Sequence, residues 1–159
     1  MESPDRWLYE YATIRYVPRI DREEFVNIGL LMLCKRRKWM KGRVEINEDR
    51  VKALFPDADI KKLQCQCSLF ERNDVPGKDL PIEEKYRWLT AVKSAVLQTS
   101  PSHPGLVPMP DKENPASIYS DNDAGDMIEI YNKTDEDSVE AEILLEKEFD
   151  RLFSELVSV

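Results

Sequence analysis

The sequence predicts an α+β fold: an antiparallel sheet built on an N-terminal hairpin, with helices packed on one face. Three observations carry this reading. Two strand-length runs, Leu8–Val17 and Phe25–Cys34, are rich in β-branched, aromatic and long apolar residues and flank a charged turn. Ile60, Leu63, Cys67 and Phe70 fall at the three–four spacing of one helical face. The same spacing returns near the end as Leu145, Phe149, Leu152, Phe153 and Leu156.

Taken in order, the first strand is expected to close at Val17, because Pro18 has no N–H for a ladder and forces the residue before it into extended geometry. Residues 18–24 then reverse the chain. Side chains alternate faces along a strand. Pairing Ile14 with Ile28 brings the apolar even positions together and sets Arg15 opposite Asn27 and Thr13 opposite Gly29. Beyond the hairpin, Val44-Glu-Ile46 extends a third strand. A short helix is expected over 49–55, with Val51, Leu54 and Phe55 inward and Pro56 as its stop. Longer helices follow at 57–72 and 82–91, the latter led by Pro81. Lys93–Thr99 reads as strand. Five prolines between 100 and 118 make that stretch irregular and extended. Met127-Ile-Glu-Ile-Tyr131 looks like an isolated strand, and Ser138 is placed to cap the closing helix.

The 159 residues are expected to form a single domain, 1–159, with an acidic insertion-like segment at about 112–138. Residues 111–148 hold 13 acids and 3 lysines, a net of −10 against −8 for the whole chain, so the remainder carries +2. No apolar run approaches the roughly 18 residues of a membrane span. The opening Met1-Glu-Ser-Pro-Asp-Arg lacks the apolar core of a signal peptide, so the expected location is the cytoplasm. Three cysteines leave at least one thiol unpaired. Cys65 and Cys67 point about 200° apart on a helix and grip one metal poorly. With one histidine in the chain, no multi-histidine site exists within it. No metal and no cofactor are expected, and glycine-rich phosphate cradles are absent.

The candidate site lies in the hairpin. Core strands rarely carry residues such as Arg15, Asn27 and Gly29, and these share the face opposite Ile14 and Ile28. One reading is structural: Arg15 pairs with Glu23 or Glu24, and Gly29 relieves crowding or marks a bulge. The other is a polar notch in which Gly29 admits a ligand to the backbone and Arg15 and Asn27 hold it. Arg87 can join Arg15 on an anion, since guanidinium suits phosphate or carboxylate. His103 is the side chain whose ordinary pKa suits proton transfer near neutrality. It lies near Ser94, Ser100 and Ser102, but no nucleophile-elbow spacing is present, and between Ser102 and Pro104 it is expected in a turn. The run 35–43 contributes Lys35, Arg36, Arg37, Lys38, Lys41 and Arg43 around Trp39. It either holds nucleic acid, with Trp39 stacked on a base, or forms a solvated hairpin tip with Trp39 against the core. The acids of the late segment repel a polyanion, so nucleic acid is not the favoured partner.

Two motifs in order, Arg15-Tyr-Val-Pro…Arg22-Glu-Glu-Phe-Val-Asn-Ile-Gly29 and Tyr86-Arg-Trp-Leu-Thr-Ala-Val-Lys-Ser94…Gln98-Thr-Ser-Pro-Ser-His-Pro-Gly-Leu106, resemble the bacterial domain-of-unknown-function family 3037. The resemblance covers about 8–106 and the C-terminal Leu152-Phe-Ser-Glu-Leu-Val157. The chain departs from the family pattern at Tyr86, where Phe is usual, and at Val92, where Pro is usual. The family supplies no established activity and hence no catalytic residues. Its genes often stand beside those of HipA-like kinases, so the resemblance implies a protein partner of that class. Two functions stay open. One is a non-catalytic accessory module of a bacterial stress or defence system. The other is a small enzyme acting on a phosphorylated small molecule or nucleic acid through Arg15, Asn27, Arg87 and His103.

Overall fold

A computed structural model describes residues 7–72, 79–91, 94–108 and 126–158, the side chains of 72 and 126–138 excepted. The elements run β1 (Leu8–Arg19), a 3-10 turn (Ile20–Arg22), β2 (Glu24–Cys34), β3 (Trp39–Val44), α1 (Glu48–Leu54), α2 (Ile60–Arg72), α3 (Ile82–Thr90), β4 (Leu97–Thr99), β5 (His103–Leu106) and α4 (Asp126–Leu156). The sheet is antiparallel, in the order β3-β2-β1-β4, and β5 pairs with the earlier half of β1 on the same side as β4. This is the α+β class that the sequence predicts.

The helices do not share one face. Ile14, Tyr16, Val26, Ile28, Leu31 and Leu33 pack with Val51, Leu63, Cys67, Phe70, Tyr86 and Leu89 from α1, α2 and α3. On the opposite side Trp7, Tyr9, Leu30, Met32, Cys34 and Val107 pack with Ala141, Leu145, Phe149, Leu152, Phe153 and Val157. The reason lies in β2, where every residue from Ile28 to Cys34 is buried. A one-sided sheet alternates; a near-continuous apolar run requires cover on both faces.

That run also decides the register. Arg15 is opposite Asn27, as the hairpin predicts, but Ile14 is opposite Gly29 and Thr13 opposite Leu30. The register shift between Ile14 and Arg15 leaves Ile28 as the extra residue of a β-bulge. Before it, even residues of β2 face α1–α3; after it, odd residues do. With both faces apolar, alternation could not fix the pairing there.

Four further expectations are corrected. Strand β1 runs through Pro18 to Arg19, because a second irregularity between Tyr16 and Arg19 takes Pro18 out of the ladder. His103 heads a strand rather than sitting in a turn, and Pro104 follows it inside β5. Tyr9 faces Gly105 and Val107 N–H donates to Trp7 O at 3.0 Å. The alternation of ladder bonds therefore turns the backbone of Pro104 away from β1, where its missing N–H costs no ladder bond. Met127–Tyr131 is helical, and α4 begins at Asp126, so Ser138 lies inside the helix. Five residues are too few to separate period 2 from period 3.6. Of the insertion-like segment, residues 112–125 lie outside the described residues, as do Val92 and Lys93.

Local chemistry sets the other helix starts. Asn47 caps α1 by accepting from Arg50 N–H at 3.2 Å, and Asp59 does the same before α2, from Lys62 N–H at 3.1 Å. At its far end α4 is clasped: Asn27 Nδ2 donates to Leu156 O at 3.2 Å and Arg50 Nη1 to Val157 O at 2.9 Å. Carbonyls at a helix C-terminus lack intrahelical donors, and these side chains supply them.

Candidate functional site

Arg15 and Asn27 are direct cross-strand partners. Each is flanked by residues that face α1–α3, so both turn toward the α4 side of the sheet. The Arg15 guanidinium lies over the Phe25 ring, 4.2 Å from its centroid, in a cation–π contact. No described residue forms an ion pair with Arg15; Glu24 is taken by Arg22. Arg15 Nε and Asn27 Oδ1 are buried and have no hydrogen-bond partner among the described residues. An orphaned donor and an orphaned acceptor thus sit on neighbouring strands, close to the end of α4. Buried polar atoms left unpaired cost of the order of 1–3 kcal/mol each. The pair is suited to a group that accepts from a guanidinium and donates to an amide oxygen, such as a hydroxyl.

The remaining candidates do not join them. Gly29 follows the bulged residue and turns the other way: a Cβ there would stand 2.9 Å from Ile14 Cδ1 and 3.1 Å from Val44 Cγ2. It admits neighbouring side chains of the core. Arg87 stands exposed on α3, where its Nη1 donates to Glu84 Oε1 at 3.0 Å. His103 is exposed opposite Tyr11, with ring centroids 5.4 Å apart. It shares the Arg15 side of the sheet but pairs four residues earlier along β1. The serines around it are engaged elsewhere. Ser100 Oγ accepts from Thr13 N–H at 2.9 Å, Ser102 Oγ lies 2.8 Å from Tyr86 Oη, and Ser94 Oγ accepts from Val96 N–H at 3.1 Å. Burial pushes the Tyr86 phenol up to about 12 despite that hydroxyl contact.

The basic run is drawn into the α4 layer. Trp39 meets Phe149 edge-on at 6.4 Å. Arg37 stacks on Trp7 at 4.4 Å, Lys41 on Phe149 at 4.9 Å and Arg43 on Phe153 at 4.6 Å, and Lys41 also pairs with Glu146. Lys35 lies 3.8 Å from Glu10. Four of the six cations therefore have partners within the chain; Trp39 is tucked against the core as the structural reading expects, but residues 39–43 belong to β3 rather than to a solvated hairpin tip.

Sequence reasoning missed one cluster. Glu148 is 3 % exposed, held on one oxygen by Arg151, and its Oε2 has no partner among the described residues. Arg151 also reaches Glu155 at 3.1 Å. The Tyr9 hydroxyl stands close enough that burial first, and Glu148 second, raise its pKa. The signal was available: Glu148 interrupts the apolar stripe between Leu145 and Leu152, with Arg151 three residues on. The thiols are all free; Cys65 is exposed, and burial pushes Cys67 up to about 12. Among the described residues, no three His, Cys, Asp or Glu side chains are grouped to hold a metal ion, and no helix is long and apolar enough to cross a membrane.

The family described as Protein of unknown function (DUF3037) matches residues 11–116. That stretch takes in the sheet from Tyr11 onward and α1–α3, and stops before α4. No curated protein and no solved structure matches the chain. With two thirds of its length matched, the chain belongs to the DUF3037 family.

Proposed function

We propose that this family member is a non-catalytic interaction module, an accessory component of a bacterial stress or defence system that acts in the cytoplasm on a protein partner. The observation that supports it is dispersal. Arg15 is stacked on Phe25, Asn27 clasps the end of α4, Arg87 is paired with Glu84 on another layer, and His103 stands apart. Catalysis by side chains requires their convergence on one reacting centre. The kinase-like character of the partner comes from the family resemblance alone and is a fold-independent association. Nucleic acid is a poorer fit, since the stacked and paired cations of 35–43 are already engaged.

The test is purification of the full chain from its native host, followed by mass spectrometry of what accompanies it. The expected result is one protein, kinase-like in sequence, in near-equal amount. A chain recovered without any companion at physiological salt would argue against the module.

One observation favours the second reading, an enzyme acting on a phosphorylated small molecule or nucleic acid: the orphaned Arg15 Nε and Asn27 Oδ1. On that reading Arg15→Ala and Asn27→Ala abolish turnover in a screen of phosphorylated compounds, whereas Arg87→Ala spares it.

A further inference from the structure

The two edges of the sheet differ. Strand β3 is one edge, and it carries Lys41 and Arg43, charges of the kind that discourage a further strand from pairing. The other edge is β4 and β5. In β5 the outward backbone positions are Pro104, which has no hydrogen to offer, and Leu106 at the end of the strand. Along β4 no described residue pairs with the outer edge. Ser100 N–H donates to Thr13 O at 2.8 Å, and Val17 N–H donates to Val96 O at 2.7 Å. Residues 96, 98 and 100 therefore bond toward β1, and the N–H and C=O groups of Leu97 and Thr99 turn outward. Leu97 N–H has a long contact to Ser94 Oγ, 3.4 Å. The C=O of Leu97 and both groups of Thr99 have no partner among the described residues.

The same two residues line a cleft. It measures about 170 Å³ and lies between α2, α3 and β4, with Leu69, Phe70 and Leu89 as its apolar walls and Gln66 on its rim. No charged side chain lines it among the described residues. The hydroxyl of Thr99 is already bonded to Thr90 O at 3.0 Å, so the interior offers little polar recognition. Dry apolar cavities of about 150 Å³ hold one benzene ring.

From the open edge and the adjoining cleft we propose that β4 accepts an extended segment of a protein partner as an added strand, with one Phe- or Leu-sized side chain seated between α2 and α3. The recognition mode is strand addition: backbone bonds supply affinity, and a pocket for one alternate side chain supplies selectivity. The segment is uncharged at the anchor and at the positions two residues either side. This assignment rests on the interaction-module reading and adds where and how the partner docks.

The experiment uses a phage-displayed library of random linear peptides selected against the full chain, with the recovered peptides synthesised and their affinities measured. Thr99→Pro removes the outward N–H and leaves the bonds to β1; Thr99→Val removes only the hydroxyl; Gln66→Trp fills the cleft from its exposed rim. Thermal melts of the three variants establish that each is folded. The expected result is a set of peptides with one aromatic or leucine anchor, weakened at least about tenfold by Thr99→Pro and by Gln66→Trp and within about twofold of wild type for Thr99→Val. Should Thr99→Pro fail to fold, Gln66→Trp and the slowed exchange of the Thr99 amide on peptide binding decide the matter. No enriched peptide, peptides indifferent to Gln66→Trp, or a cleft that takes benzene but no peptide would each overturn the proposal. A native companion held equally by wild type and Gln66→Trp would overturn this docking mode and leave the module standing. Peptides bound at β4 with no companion in the host would do the reverse.

Discussion

The two faces of the sheet are closed in different ways. Three short helices approach one face so closely that backbone meets backbone: a Cβ at Gly42 would lie 2.2 Å from the Phe70 carbonyl oxygen. The interface is almost wholly apolar. The other face is closed by part of one helix, and its aromatic stripe is sealed along the β3 side by Arg37, Lys41 and Arg43. It also contains the buried Glu148. The first face depends on the absence of a side chain, the second on the long stems and charged heads of several. The family match covers the first arrangement and ends before the helix that completes the second.

The largest effect is expected on the α4 side. Phe149 is fully buried and touches Trp39, Phe153 and Lys41. Phe149→Ala should lower stability by about 3–5 kcal/mol in a denaturant titration. An unchanged midpoint would mean that α4 is not docked through this ring. Next is Gly42→Ala, which should cost about 1–3 kcal/mol by forcing α2 off the sheet, although alanine suits a strand better than glycine does. A gain in stability would show that the first face is not closed by backbone contact.

Alkaline titration weighs the faces unequally: burial also raises Cys34 and Tyr9 on the α4 side, but the large shifts lie opposite. Burial holds Cys67 at about 12 against 9.0 and Tyr86 at about 12 against 10.0, and both lie on the α1–α3 side. A group whose folded pKa is raised keeps its proton when the unfolded chain has lost it. Its stabilisation is complete below the unfolded value and disappears as pH climbs through the folded one. Stability should therefore fall from pH 9 toward about 12, and Cys67→Ala should flatten the early part of that fall in melts taken at stepped pH. The smallest effect belongs to the rim of the second face: Arg43→Gln should cost about 0.5–1 kcal/mol through the lost stacking on Phe153. A larger loss would make the cations a principal support of that face.

The elements with strong periodicity were legible from residues alone. The α2 face of Leu63, Cys67 and Phe70 and the closing stripe from Leu145 to Phe153 are buried as their spacing requires. Cross-strand pairing of Arg15 with Asn27 followed from bringing the apolar even positions of the two strands together, which holds on the turn side of the bulge, where Tyr16 is opposite Val26. The sidedness of Gly29 did not, because one bulged residue reverses every face after it and leaves no trace in a run that is apolar throughout. The same run, Ile28–Cys34, is apolar at consecutive positions and so requires cover on both sides of the sheet, where one-sided packing of the helices is the simpler expectation. The strand at His103–Leu106 is masked in the sequence by Pro104, because the rule against proline concerns ladder bonds and an outward edge position has none to lose. Glu148 was legible as a charge that interrupts the stripe between Leu145 and Leu152, on the buried face of the helix.

The two-sided burial of β2 has a consequence for synthesis. Leu30, Met32 and Cys34 emerge early, yet the residues that cover their side of the sheet, Leu145 to Phe153, follow more than a hundred positions later. At elongation rates of about 5–20 residues per second, a nascent hairpin waits on the order of ten seconds with one oily face open. The three short helices arrive first and close only the opposite side. During that interval the chain is a half-built sheet, and its safe passage depends on how sparsely such chains are crowded on the message or on what holds them until α4 is made.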